Sequence, residues 1–347
     1  MKKTTFSLLI AGFLLFPLSH AVASNCSIRP SDFGKLISKA EKELNLPPAP
    51  RAHLHTEGTL PGQGIFDQSS AAKADFQRMY IDALAYSADG DTRFLKKART
   101  YLQEWQSVYK LNFNPIDETQ FGQFIKTFIL ISTNLSPKER QQTEAFLHNL
   151  AAGYSQNIKR TENSGHNAGN DNWQSHRIKL FTLAAVALHD AAMLNQAQVF
   201  FDAQVAGNIR PDGSVKDYYE RDALHYVTYD LEPLTEAAIA ARSAGRDWLD
   251  RRSTTGSTLR AAINWLVPYA EGRKEHTEFV HSKVRFDRIR REAGVKAEQI
   301  ALWPSSNSIR LYWLASQLDD TYKPLAASFQ ADPPLDTLSC TENHRKT

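Results

Sequence analysis

Cysteine is nearly absent: the 347-residue chain has two, Cys26 and Cys340, near its opposite ends. That spacing excludes zinc-finger and iron–sulfur frameworks, which need clustered thiolates. In an oxidising compartment the two could pair, but sequence alone does not show that they meet. Metal-binding histidine spacing is missing too. His53-x-His55 and the pair His276 and His281 come nearest, and neither has the HExxH arrangement or a dense carboxylate cluster beside it. No metal or other cofactor is expected. No G-x-S-x-G occurs, which argues against a serine-hydrolase elbow. Gly62-Gln63-Gly64 lacks the third glycine and the strand-to-helix setting of a nucleotide loop. An excess of one charge is also lacking, with 41 basic against 38 acidic residues. Nothing in that balance calls for nucleic acid, so any positive field has to be local to a cleft.

The N-terminus carries a secretory pattern. Lys2 and Lys3 precede an apolar stretch, Ser7 to Leu18, too short and interrupted to span a bilayer, and Ala21-Val22-Ala23 is a small-x-small cleavage site. Asn25 stands where a lipid-attachment box before Cys26 wants a small residue. The expected organisation is a signal peptide over 1–23 and one domain over 24–347, periplasmic or secreted. No membrane insertion is expected after cleavage, and a monomer is the default. Cleavage removes two lysines and no acid, which takes the formal charge from +3 to +1.

Helical periodicity fills the domain. Phe76, Met79, Tyr80, Ala83 and Leu84 recur at three- and four-residue steps over 70–88, as do Phe94, Leu95, Ala98, Tyr101, Leu102, Trp105 and Val108 over 92–110. The same rhythm predicts helices over 118–133, 137–156, 174–191, 194–206, 226–244, 257–271 and 307–318. Asn114-Pro115, Ser136-Pro137 and Pro211-Asp212-Gly213 punctuate them. Strand-like alternation is scarce, and no fixed period marks a solenoid. The pattern predicts a single all-α domain, an α/α toroid of helical hairpins, with an irregular bundle as the alternative. A toroid leaves a loop-lined groove at one end, in which a polymer can lie.

Three loops carry more chemistry than a connection needs. They are His53 to Gly58, with His55 and Glu57; His166 to Arg177, with Asn172, Trp173 and His176; and Pro211 to Tyr226. The run Arg221 to Asp230 puts a guanidinium, the His225 imidazole and two phenols, Tyr226 and Tyr229, at a helix start. Arginine grips carboxylates with a two-pronged fork, and histidine and tyrosine move protons. Such a set suits an acidic, hydroxyl-rich substrate, for example a uronate chain. Eliminating one requires neutralising its carboxylate, removing the C5 proton and protonating the departing O4. Tyrosine normally titrates at about 10, and an adjacent Arg221 would lower Tyr226.

Each residue also has a structural reading. Tyr226 could be a core tyrosine, Asn172 an N-cap, His176 a satisfied buried histidine, and Arg221 a partner of Asp222 or Glu220. Trp173 could be a loop anchor, and Trp303 and Trp313 read as core. The basic run Lys283, Arg285, Arg288, Arg290 and Arg291 could face a polyanion, and reads first as a solvated helix face. A glycosidase pair of Glu57 with Asp171, Asp222 or Asp230 stays open.

The stretch 170–234 resembles the alginate lyase superfamily, which includes the family 5 polysaccharide lyases, and the likeness extends from about His53 to Trp303. It rests on Asn172-Trp173 at a helix start, Pro211-Asp212-Gly213, and Ala223-Leu224-His225-Tyr226-Val227-Thr228-Tyr229-Asp230-Leu231. The resemblance implies that Tyr226 is the catalytic tyrosine and that Asn172 neutralises the carboxylate. Family 5 members have histidine directly after the paired asparagine, where this chain has Trp173, so His176 or His225 would supply the imidazole. Arg221 is the nearest counterpart of the family's arginine. His55-Thr56-Glu57-Gly58 resembles a Lys-Tyr-Glu-Gly segment, which would make His55 and Glu57 substrate contacts along with Trp173. The implied activity is β-elimination of a β-1,4-linked polyuronate, alginate or a relative such as glucuronan, with an acidic polysaccharide as the sole partner. A glycoside hydrolase on the same toroid and a non-catalytic periplasmic glycan-binding or export protein are the alternatives.

Overall fold

The computed structural model describes residues 25–26, 30–163 and 169–341, so the expected signal peptide and His166 lie outside the described residues. Thirteen helices are formed among them. They are α1 (Pro30–Glu43), α2 (Gly64–Asp89), α3 (Thr92–Val108), α4 (Phe121–Ile131), α5 (Pro137–Asn163), α6 (Asn172–Ala187) and α7 (Ala191–Asn208). There follow α8 (Lys216–Arg221), α9 (Leu224–Ser243), α10 (Leu259–Ala270), α11 (Arg285–Glu292), α12 (Ile309–Ala315) and α13 (Lys323–Phe329). The one ladder of named strands pairs Asn25–Cys26 with Cys340–Thr341, antiparallel, with Cys26 facing Cys340 in the register.

Helix packing defines an α/α toroid. α2 touches α4, α4 touches α6, α6 touches α9 and α9 touches α12; a 3-10 turn at Leu335–Thr337 then joins α12 back to α2. This sequence of neighbours is an inner ring. α1 and α3 pack on α2, α5 and α7 on α6, α10 on α9, and α13 on α12, which makes the outer layer. The ring closes through hydrogen bonds as well: the Tyr80 hydroxyl donates to the Leu338 carbonyl at 2.5 Å, and the Gln317 amide to the Thr337 carbonyl at 2.7 Å.

The inner helices explain their own sequences. α6 is covered on nearly every side, so even Ser175, His176, Lys179 and Thr182 are buried. Its amphipathicity vanishes for that reason. The polar groups are used internally: Ser175 and Asn208 both donate to the carboxylate of Asp230, which pins α6, α7 and α9 together. The apolar core on the other side is aromatic. Phe76 lies 4.3 Å from Trp105 and 4.7 Å from Phe121 between ring centres, and the Trp105 indole donates to Asp75 at 3.0 Å. Trp303 and Trp313 are buried.

Candidate active site

Four inner-ring elements deliver their N-terminal ends to one side of the toroid. Phe66, Ser70 and Lys73 from the start of α2, Thr119 and Gln120 ahead of α4, Asn172 and Trp173 opening α6, and His225 and Tyr226 opening α9 line a groove of about 1190 Å³. Helix N-termini carry partial positive charge, so this end of the ring favours an anionic guest. The loop Thr56–Thr59 forms one rim, and α11 supplies Phe286 and Arg290 to the other.

The loop over α2 is shaped by a buried acid. Asp117 accepts the backbone N–H of Thr56 at 2.6 Å and of Glu57 at 2.9 Å. His55 stays exposed on the outside of that wrap, its Nδ1 3.4 Å from Asp117, and is not in the groove wall; Glu57 is. Beneath the loop, the Lys73 ammonium donates to the Thr56 hydroxyl at 2.7 Å and to the Ile116 carbonyl at 3.1 Å. Burial lowers its pKa to about 8, although Asp117 and Glu118 pull the other way.

The opposite wall is built on a backbone elbow. Asp222 ends α8 at φ 50, a left-handed conformation that costs an L-residue about 1 kcal/mol. Its neighbours hold it there: Asp222 accepts the Phe279 N–H at 2.7 Å and the His276 ring N–H at 2.9 Å through its carbonyl, and the His281 N–H at 2.8 Å through its carboxylate. The elbow turns the chain straight into α9, whose first N–H groups, on Leu224 and His225, are capped by the Glu278 carboxylate at 2.6 and 3.0 Å. Burial pushes Glu278 up to about 7.

Tyr226 emerges at that helix start, buried, between two guanidinium groups. Arg221 lies over its ring at 3.8 Å, and Arg290 Nη1 donates towards its hydroxyl at 3.5 Å. Asp287 and Asp217 hold Arg221, and Glu298 pairs with Arg290 at 2.8 Å. Arg221 thus finds partners in α11 and α8, not in Asp222 or Glu220. The expected lowering of Tyr226 does not occur: burial outweighs both arginines and pushes its pKa up to about 12. His225 packs edge-on to Tyr226, 5.1 Å between ring centres, and burial with the nearby Arg290 and Arg221 lowers it to about 4. Near neutral pH the tyrosine is therefore protonated and the histidine neutral.

Asn172 is fixed from the α8 side. Its backbone N–H and its side-chain amide both donate to one Asp217 oxygen, at 2.9 and 3.0 Å, which leaves one amide hydrogen for the groove. The N-cap of α6 is Asp171, which accepts the Trp173 N–H at 3.0 Å. Trp173 stands half-buried in the wall, with Arg177 over its ring at 5.7 Å. His176 is one turn deeper than Asn172, behind Tyr229, with ring centres 4.6 Å apart, and faces a different pocket.

Tyr226, Asn172, Trp173, Arg221, His225 and Glu57 are therefore brought together, while His55 and His176 are not in that wall. Lys73 and Arg290 join the site; Lys73 had no signal of its own, and Arg290 was marked only as one of a basic run. Lys73 is an ordinary helix lysine by sequence, and Arg290 sits in a run in which Lys283, Arg285 and Arg288 are exposed and Arg291 is half-buried. Glu57 is the one carboxylate in the groove wall among the described residues. Its candidate glycosidase partners are occupied elsewhere: Asp171 caps α6, Asp222 holds the elbow and Asp230 is locked in the α6–α9 seam. Among the described residues no group of three or more His, Cys, Asp or Glu could hold a metal ion, and no helix is long and apolar enough to cross a membrane.

No curated protein matches the chain by sequence. Solved structures share the fold. An alginate lyase from Bacteroides ovatus superposes with a TM-score of 0.60 at 16% identity, covering 87% of this chain and 90% of that one. Alginate lyase A1-III from Sphingomonas species A1 gives 0.52 at 18% identity over 70% and 76%. A tyrosine-to-phenylalanine variant of alginate lyase A1-III, complexed with tetrasaccharide, gives 0.50 at 16% over 70% and 77%. The sequence profile described as alginate lyase matches residues 34–276, which takes in every element of the groove except α11. With the toroid, the profile and the tyrosine-centred groove agreeing, the chain belongs to the alginate lyase family and is a polysaccharide lyase.

Proposed function

We propose that this lyase is exported and cleaves a β-1,4-linked polyuronate, of the alginate or glucuronan class, by β-elimination at Tyr226. The observation that carries the reading is the buried Tyr226 hydroxyl between Arg221 and Arg290, on a groove wall shared with Asn172 and His225. Arg290, Lys73 and the free amide hydrogen of Asn172 meet the uronate carboxylate, which makes the neighbouring C5 hydrogen easier to remove. Arg221, tied to two aspartates, acts on the Tyr226 ring and not as a free clamp.

The resting protonation states favour one of two routes. A protonated Tyr226 is set to donate to the departing O4, and a neutral His225 to accept the C5 proton. That division of labour fits a uronate whose C5 hydrogen and O4 lie on opposite faces of the ring, as in the guluronate units of alginate, whereas in β-1,4-linked mannuronate and glucuronate the two share a face. Where they share a face, Tyr226 would have to do both, which requires prior ionisation against its raised pKa. Groove cations and helix N-termini favour a polyanion although the whole molecule is nearly neutral.

Incubation with polymannuronate, polyguluronate and glucuronan, followed by ultraviolet absorbance, is the test. Elimination leaves a conjugated double bond that absorbs; new reducing ends without that absorbance would overturn the reading in favour of hydrolysis. Binding without cleavage of any polyuronate would leave a glycan-binding protein.

A further inference from the structure

Residues 277–302 follow the stretch that the family profile matches, and they close on themselves. Thr277 and Leu302 bridge antiparallel at the base, where the Glu278 N–H donates to the Ala301 carbonyl and the Trp303 N–H to the His276 carbonyl, both at 2.9 Å. The first limb is fastened to the end of α8 by its backbone: the Phe279 N–H donates to the Asp222 carbonyl at 2.7 Å, and the Lys283 N–H to the Glu220 carbonyl at 2.8 Å. The second limb has no such tie. Over residues 288–300 the hydrogen bonds and ion pairs are internal, among them Arg290 with Glu298 and the Gln299 amide with the Arg291 and Val295 carbonyls. The exception is Arg290, whose Nη1 also reaches the Tyr226 hydroxyl at 3.5 Å.

Asp287 stands at the join of the two limbs. It is fully buried and does not line the groove. One carboxylate oxygen pairs with Arg221 of α8, and the other accepts the Ser282 hydroxyl at 2.6 Å. The carboxylate therefore ties α11 to the toroid and to the fastened limb at once. Arg290 lies three residues further along α11, which puts it one turn away on the same face. Where Asp287 docks thus sets where Arg290 meets the tyrosine. Asp217, the other acid at Arg221, belongs to α8 itself and cannot hold α11; Glu298 travels with the second limb and cannot anchor it. Neutralising one partner of a buried ion pair is strongly unfavourable, so this contact can carry the docking of a limb whose one other polar tie is Arg290 itself.

We propose that Asp287 is a positioning residue of the lyase: it docks α11 on Arg221 and so holds the Arg290 guanidinium at the Tyr226 hydroxyl. Its effect on catalysis rests on Tyr226 as the reacting group; the docking does not.

Asp287→Asn keeps the shape and an acceptor for Ser282 but removes the charge that pairs with Arg221. On a cleaved polyuronate it is expected to lower kcat about ten- to a hundredfold, as far as Arg290→Gln does. In the Arg290→Gln background it is expected to lower kcat by no more than about threefold further, because the group it positions is already gone. Losses that multiply in the double variant, or an unchanged kcat in the single one, overturn the assignment. Limited trypsin digestion reads the docking without any substrate. Cleavage after Arg288, Arg291 or Lys296 is expected to quicken about tenfold or more in Asp287→Asn, while cleavage elsewhere keeps its rate. Uniformly faster cleavage would mean a general loss of stability and also overturns the assignment. If Asp287→Asn fails to fold, Ser282→Ala takes its place. That variant leaves the ion pair and removes the other partner, so the same local release and the same non-additive loss are expected at about two- to tenfold, and neither appearing overturns the assignment. If no polyuronate is cleaved, or Tyr226→Phe is fully active, the proposed chemistry falls, and the trypsin pattern alone decides whether Asp287 docks α11.

Discussion

Tyr226 shows how burial and charge compete at a single residue. Two guanidinium groups stabilise a phenolate, but removing the ring from water costs more, and the pKa rises to about 12. Replacing Tyr226 with Phe is expected to lower kcat by roughly 10²- to 10⁴-fold, the usual worth of positioned proton transfer, with an unchanged melting temperature. Arg290→Gln is expected to lower kcat by about ten- to a hundredfold and Arg290→Lys by less, because a cation near the Tyr226 hydroxyl is retained. The pH dependence separates the two chemical routes. With His225 as base and Tyr226 as acid, kcat is level from above about 4 to below about 12. A kcat that climbs steadily through the alkaline range would instead mean that the Tyr226 phenolate is the base. KM is expected to rise above about pH 8, where Lys73 loses its charge, and Lys73→Gln should remove that rise. Both histidines also tie stability to pH. His225 and His176 are held neutral by burial in the folded chain, so the unfolded chain binds their protons first. The histidine share of stability therefore falls as pH drops below about 6.5, by roughly 1.4 kcal/mol per pH unit for each, while the raised Glu278 works the other way; the difference between the unsubstituted protein and His225→Phe in urea unfolding at two pH values will measure the His225 part. Composition could name Tyr226 and Asn172 as chemically able. It could not separate Arg290 from Arg288, because their difference lies in how α11 docks, through the ion pair of Asp287 with Arg221.

At the level of elements, the turn before α8 is the sensitive joint. Gly213 has φ 90, and a Cβ there would lie 2.4 Å from the Ala261 carbonyl of α10. Gly213→Ala combines an unfavourable backbone with a clash, so it is expected to cost more than about 1 kcal/mol and to lower the melting temperature. Because α8 carries Asp217 and Arg221, this substitution should also raise KM, through Asn172, although it touches no groove residue. Pro211-Asp212-Gly213 was legible in the sequence as a turn, and so were the long helices from α2 onward, whereas the 14-residue α1 was not read. The rhythm predicted helices over 70–88, 92–110 and 226–244, and α2, α3 and α9 occupy 64–89, 92–108 and 224–243. The short α8, α11 and α13, of six to eight residues, gave no such signal. Two turns are too few to establish a period of 3.6 residues.

For the molecule as a whole, ring closure is the property that matters. The C-terminal segment joins α12 to α2, and the first and last described residues pair in a short ladder with Cys26 opposite Cys340. Directly opposed antiparallel residues are close enough for a disulfide. Thiol titration of the unfolded, unreduced protein is expected to find no free thiol. Reduction should then lower stability by up to about 4 kcal/mol, since the link would close almost the whole chain into one loop. Two free thiols would show that the ends meet without a covalent tie.

The sequence by itself determined the helical class, most helix positions, the Pro-x-Gly turn and the tyrosine segment, since periodicity and turn chemistry are properties of neighbouring residues. Only the tertiary structure decided which distant segments share the groove. Lys73 and Arg290 entered it, His55 stayed outside, and His176 turned behind Tyr229 to face a different pocket. The reason is geometric: a closed ring brings the starts of α2, α4, α6 and α9 to one end, and the order in which they meet is fixed by packing between residues far apart in the chain.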